Sequence, residues 1–223
     1  MNKIGLRLPS QDYFVQEALN VLRTNIQFCG QDVKTIALTS VEPGEGKTTI
    51  SLYTAKSLAE LGKKVLVIDA DMRKSIIAGR NANVRNVKGL SELMVGCATL
   101  SECLYSTQYE NMDLIFAGQY PPDPVKLLNS EYFQKLLEKA KQKYDYVIVD
   151  TPPLGLVVDA AVIAAKCDSA ILVIGSKKIK YSKAQAVVES LKKSGCDVLG
   201  VILNNASKKK DHYYSKKKEY GAN

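Results

Sequence analysis

The run Ser40-Val41-Glu42-Pro43-Gly44-Glu45-Gly46-Lys47-Thr48-Thr49 leaves few folds open to this chain. It follows the apolar stretch 35–39. Helical spacing resumes over 48–61, where Leu52, Ala55, Leu58 and Ala59 share one face and Gly62 is placed to cap the end. A glycine-rich turn between a strand and a helix start is where backbone N–H groups can turn inward around phosphate oxygens, at the positive end of the helix dipole. Gly44, Glu45, Gly46, Lys47, Thr48 and Thr49 are therefore the candidate phosphate-binding residues. The Lys47 amine can reach the β and γ oxygens of a nucleotide, and the Thr48 hydroxyl can bind Mg²⁺. The full G-x-x-x-x-G-K-S/T pattern is not met, because Val41 stands at its first glycine.

Two acidic motifs accompany the loop. In Val65-Leu66-Val67-Ile68-Asp69-Ala70-Asp71-Met72-Arg73, two carboxylates one residue apart close an apolar run. Residues at that spacing point the same way, here into the crevice where α/β sheets bind ligands. One can hold a metal while the other takes a proton. In Tyr146-Val147-Ile148-Val149-Asp150-Thr151-Pro152-Pro153, an aspartate ends a second apolar strand, the position of a Walker B metal carboxylate. Further strands are expected over 113–117, 170–174 and 198–203. A helix is expected over 130–141, capped by Ser130, with Phe133, Leu136, Leu137 and Ala140 inward. Strands separated by helices predict a doubly wound, mostly parallel α/β sheet with helices on both faces, the P-loop NTPase architecture. Residues 76–88 are polar and irregular and read as a mobile loop near the site.

A length of 223 residues with 46% hydrophobic content suits one α/β domain. No apolar run reaches the length of about 18 residues that a membrane span needs, and the first ten residues lack the apolar core of a signal peptide, so a cytoplasmic location is expected. The five cysteines, Cys29, Cys97, Cys103, Cys167 and Cys196, form no C-x-x-C pair and read as buried free thiols. The lone His212 excludes a zinc site built on two histidines. Net charge is +8, and residues 207–223 hold six lysines against two acids, a net +4. Such a stretch suits an anionic partner, nucleic acid or lipid, or simply water. The globular domain is placed at 1–206 and a flexible basic tail at 207–223.

The set PGEGKTT, VLVIDADMR and VIVDTPP resembles the bacterial tyrosine kinases of capsule and exopolysaccharide synthesis, over roughly residues 17–205. Supporting stretches are Leu22-Arg23-Thr24-Asn25-Ile26, Gly89-Leu90-Ser91-Glu92-Leu93, Ala117-Gly118, Pro121-Pro122-Asp123-Pro124, Asp159-Ala160 and Gly200-Val201-Ile202-Leu203-Asn204. The resemblance implies an ATP- and Mg²⁺-dependent protein-tyrosine kinase. Lys47 is its Walker lysine, Asp150 its Walker B aspartate, and Asp69 and Asp71 serve metal binding and activation of the tyrosine hydroxyl. Asn204 joins the nucleotide site, and the acceptors are the tail residues Tyr213, Tyr214 and Tyr220 of a neighbouring subunit. It also implies a ring-shaped homo-oligomer, a membrane-bound activator that recruits the chain to the inner face of the membrane, and a tyrosine phosphatase, with no nucleic-acid partner. In the family's assembly helix, E-x-x-R-x-x-R, Glu17 and Arg23 match, and Asn20 replaces the middle arginine.

Two other readings share this machinery. A partitioning or positioning ATPase would place a second lysine near the loop's start to reach across a dimer, but Glu42 stands there. A non-catalytic nucleotide-binding regulator would need no departure from the residues above.

Overall fold

The computed structural model describes residues 2–82, 84–176 and 179–206. In chain order the strands are β1 (Asn2–Ile4), β2 (Thr35–Ser40), β3 (Val65–Asp69), β4 (Leu104–Thr107), β5 (Met112–Ile115), β6 (Tyr146–Asp150), β7 (Ser169–Gly175) and β8 (Asp197–Asn204). The helices are α1 (Tyr13–Phe28), α2 (Lys47–Ala59), α3 (Leu90–Met94), α4 (Leu100–Cys103), α5 (Pro124–Leu128), α6 (Glu131–Lys143), α7 (Asp159–Ala164) and α8 (Tyr181–Lys193). Among the described residues the strands form one sheet in the order β1-β4-β5-β3-β6-β2-β7-β8. Every pairing is parallel except β4 with β5. The doubly wound, mostly parallel expectation therefore holds, with one antiparallel pair.

Strand alternation splits the apolar residues between two cores. Leu66, Ile68, Val147 and Val149 face one side, where Phe133, Leu136, Ile163, Val187 and Leu191 of α6, α7 and α8 cover them. Val65, Val67 and Ile148 face the other side, beneath Ile26, Leu52 and Leu58 of α1 and α2. Both faces of the central strands are buried, which is why their sequences run apolar without a break. On α6, Ser130 caps the helix by accepting from Phe133 N at 3.4 Å, and the expected inward residues are the buried ones. Phe133 is fully buried in the first core. Phe133→Ala should lower unfolding stability by about 3–5 kcal/mol, the sum of lost transfer energy and a residual cavity. Chemical denaturation with an unchanged slope checks this.

Several expectations need correction. Helix α2 does not bury one face. Ser51, Thr54 and Ser57 are as buried as Leu52, Ala55 and Leu58, because α1 packs over the side that would otherwise meet water. Arg23 of α1 donates to the Ser57 carbonyl and hydroxyl, both at 3.4 Å. Residues 76–88 are not irregular throughout: Ile77–Asn81 form a π-helical turn, Ile77 is fully buried, and Asn81 Nδ2 donates to the Arg7 carbonyl at 3.1 Å. The cysteines are all free, yet only Cys103 and Cys196 are buried, whereas Cys29 and Cys97 are exposed. Strands β1 and β4 went unforeseen. They are short edge-side elements whose pairing comes from the sheet, not from a strong pattern of their own. No helix among the described residues is long and apolar enough to cross a membrane.

Candidate nucleotide and phosphoryl-transfer site

The loop 41–46 joins β2 to the first turn of α2 at the carboxyl edge of the sheet. Gly44 and Gly46 take φ values of 78° and 89°, a left-handed backbone in which side chains are strained. At Gly46 the reason is also steric: an added Cβ would lie 2.1 Å from Asn204 Nδ2. Asn204 ends β8 and donates from Nδ2 to the Glu45 carbonyl at 2.8 Å, so it braces the loop's backbone. The Glu45 carboxylate points inward. It is buried and accepts from Glu42 N and Gly175 N, both at 2.7 Å. Of the residues expected to meet nucleotide, Glu45 and Asn204 thus have their side chains engaged in holding the loop's shape. Thr49 is half-buried in the first turn of α2.

Behind the loop, Asp150 gathers three donors. Lys47 Nζ lies 2.8 Å from Oδ1, Thr48 Oγ1 donates to Oδ2 at 2.7 Å, and Ser51 Oγ donates to Oδ1 at 2.9 Å. The lysine and the aspartate are both buried. Ser51 escaped the sequence reading. The signal for it was its spacing four residues after Lys47, which puts both on one helical face.

Strands β3 and β6 are neighbours, and Asp69 and Asp150 are partners in their register. Two carboxylates therefore end adjacent strands side by side. Asp69 is fully buried and accepts from Ser75 Oγ at 2.5 Å and from Asp71 N at 3.3 Å. Burial, and next the charge of Asp150, raise its pKa well above the usual carboxylate range. Asp71 is also raised, chiefly by burial, with Lys47 pulling the other way. Its Oδ1 accepts from Lys74 N at 3.0 Å. The structure therefore brings Lys47, Thr48, Asp69, Asp71 and Asp150 together. Tyr213, Tyr214, Tyr220 and the tail boundary at 207 lie outside the described residues.

Crowded carboxylates, of which Asp69 and Asp71 have raised proton affinity, with one lysine among them, form an electronegative site whose donors are hard oxygens. That set fits a divalent cation such as Mg²⁺. Among the described residues no cluster of three or more acidic, histidine or cysteine side chains is spaced to hold a metal alone. A cation held by Thr48, Asp69 and Asp150 would complete its shell with phosphate oxygens and water, the usual habit of Mg²⁺.

A strand, a glycine-rich turn, a lysine at the helix start and an aspartate ending the adjacent strand define a P-loop nucleotide-binding domain. The model of the AAA domain family matches residues 33–195. The chain is 44% identical over 192 residues to the tyrosine-protein kinase CpsD of Streptococcus agalactiae serotype Ia, covering 86% of this chain and 83% of that one. Among solved structures it resembles the chimerical protein CapA2B2, with a TM-score of 0.82, 30% identity, and coverage of 93% and 95% of the two chains. It also resembles the kinase domain of the Escherichia coli tyrosine kinase ETK, with a TM-score of 0.79, 32% identity, and coverage of 89% and 80%. This chain belongs to the bacterial tyrosine-protein kinase family.

Proposed function

We propose that this tyrosine kinase transfers the γ-phosphoryl group of ATP to Tyr213, Tyr214 and Tyr220 of a neighbouring copy, and that this cycle regulates capsular or exopolysaccharide synthesis and export. The observation that carries the reading is the convergence of Lys47, Thr48 and Asp150 with Asp69 and Asp71 on adjacent strand ends. Lys47 leaves Asp150 to meet the β and γ oxygens, and loop N–H groups hold the phosphates. Thr48, Asp69 and Asp150 would hold a Mg²⁺, which would neutralise charge on those oxygens. Asp71 takes the proton of the acceptor hydroxyl. A bond forms from the tyrosine oxygen to the γ phosphorus, the bond from that phosphorus to the bridging oxygen breaks, and ADP departs. Burial that raises the proton affinity of Asp71 suits a general base.

The reading extends to a membrane-bound activator, a homo-oligomeric ring in which α1 takes part, and a phosphatase that resets the tail. The Glu42 carboxylate is paired with Lys183 Nζ at 2.7 Å. That position therefore offers no cation to a second subunit's phosphates, which disfavours a partitioning-type sandwich dimer.

The test is incubation of the full chain with labelled ATP and Mg²⁺, with mapping of phosphotyrosine and light scattering before and after. Phosphorylation adds about −1.5 to −2 charges per site, so three phosphates should bring the tail from +4 to near zero or slightly negative. Such a tail is repelled by the carboxylates and by bound nucleotide. The wild type should label on all three tyrosines and shrink to monomer, while a variant with all three changed to Phe should do neither. Label elsewhere, or equal sizes before and after, would remove the tail from the reading.

A further inference from the structure

The loops that leave β3 and β6 carry the acidic motifs, and one ion pair joins them. Arg73 Nε donates to Asp159 Oδ2 at 2.8 Å and Nη2 donates to Oδ1 at 3.2 Å. Both carboxylate oxygens are thus taken by one edge of the guanidinium, a fork that lysine cannot reproduce. The Asp159 side chain is 2% exposed, at the start of α7, whereas that of Arg73 is 34% exposed. Arg73 sits two residues beyond Asp71, and Asp159 sits nine beyond Asp150.

The two loops differ in how they are anchored. The loop before α7 is locked onto the start of the P-loop. Leu154 N donates to the Ser40 carbonyl at 2.9 Å, and a Cβ on Gly155 would lie 2.2 Å from the Val41 carbonyl oxygen. The hydrogen bonds of the loop after β3 are largely those of its own turns, Lys74 N to Asp71 and Ser75 to Asp69, with Ala70 N reaching the Asp150 carbonyl at 2.8 Å and Met72 buried in the first core. Beyond Asp71 the Arg73–Asp159 pair carries the rigidity of the one loop to the other. Tyr120 and Asp123, from the loop following β5, lie within electrostatic reach of Arg73, and Tyr120 is exposed. The pair therefore lies beside Asp71, where the loops that leave β3, β5 and β6 meet.

We propose that Arg73, through Asp159, is a positioning residue for the acceptor: the pair fixes the rim beside Asp71 at the width that admits a tyrosine-bearing segment, without contributing to nucleotide binding. This rests on the kinase reading above, and the test separates the two.

The full chain with Tyr213→Phe, Tyr214→Phe and Tyr220→Phe serves as parent, and a synthetic peptide of residues 207–223 serves as acceptor. Arg73→Met alone would strand a buried carboxylate, so the main variant is Arg73→Met with Asp159→Leu, beside Arg73→Lys. Three quantities are measured: affinity for a fluorescent ATP analogue with Mg²⁺, affinity for labelled peptide in the presence of a non-hydrolysable ATP analogue, and initial rates against peptide concentration. In the double variant nucleotide affinity should stay within twofold, while peptide affinity falls at least tenfold and the loss of rate appears mainly in the peptide KM. Arg73→Lys should recover part of it. Unchanged peptide affinity would overturn the proposal. So would nucleotide affinity falling in step, which marks a merely structural pair. If the parent binds the peptide but never phosphorylates it, the kinase reading fails, and the binding comparison still decides the role of Arg73.

Discussion

Lys47→Met should reduce tyrosine phosphorylation by about a thousandfold, the scale of losing a preorganised cation from a site where charge develops on transferring oxygens. The lysine opens α2 and lies buried against Asp150, on the strand next to β2. Its charge is thus held behind the phosphate loop and largely out of water, from where it can turn to the nucleotide's oxygens. The substitution also withdraws one of three donors from a buried carboxylate. Thr48 and Ser51 remain as donors to Asp150, so the cost in stability should stay below the about 3–5 kcal/mol that an orphaned buried charge incurs. The variant should therefore still unfold in one cooperative step at a somewhat lower temperature. Phosphotyrosine assay and calorimetry on the same preparation check both halves. Undiminished phosphorylation in a folded Lys47→Met protein would remove the phosphate loop from the mechanism.

Asp71→Asn should depress acceptor phosphorylation by about 10²–10⁴-fold, the range for losing a general base. Affinity for ATP·Mg²⁺ should change no more than a few-fold. The substitution is close to isosteric, and an amide oxygen can still accept from Lys74 N, so the local turn should survive. Asp69 and Asp150, paired in register, would still offer two carboxylates to a cation. The measurement is a pair of titrations, rate against acceptor and binding of a fluorescent nucleotide with Mg²⁺. Parallel loss of both would show that Asp71 acts mainly as a metal ligand and that the division of roles among the three aspartates is wrong.

The amino-acid sequence by itself determined the sheet class, the phosphate loop and the acids that face it. These rest on short-range rules: alternation and apolar runs in strands, glycines where φ must be positive, a lysine at a helix start, a carboxylate at a strand end. Family resemblance added the chemistry, because the spacing of Asp69, Asp71 and Arg73 is a local pattern that survives in one dimension.

What the tertiary structure decided is who partners whom across long stretches of chain. Glu45 turns inward because Gly175 N, 130 residues away, needs an acceptor. Asn204 braces the loop because β8 ends beside it. Ser51 joins the site because α2 lies over β6, and Arg73 finds Asp159 because β3 and β6 are neighbours in the sheet. Strand order and register set these meetings, and neither is written in any local window. The same holds for the all-round burial of α2 and the exposure of Cys29: an element's own pattern says which residues are apolar, but only its neighbours decide which of its sides meets water.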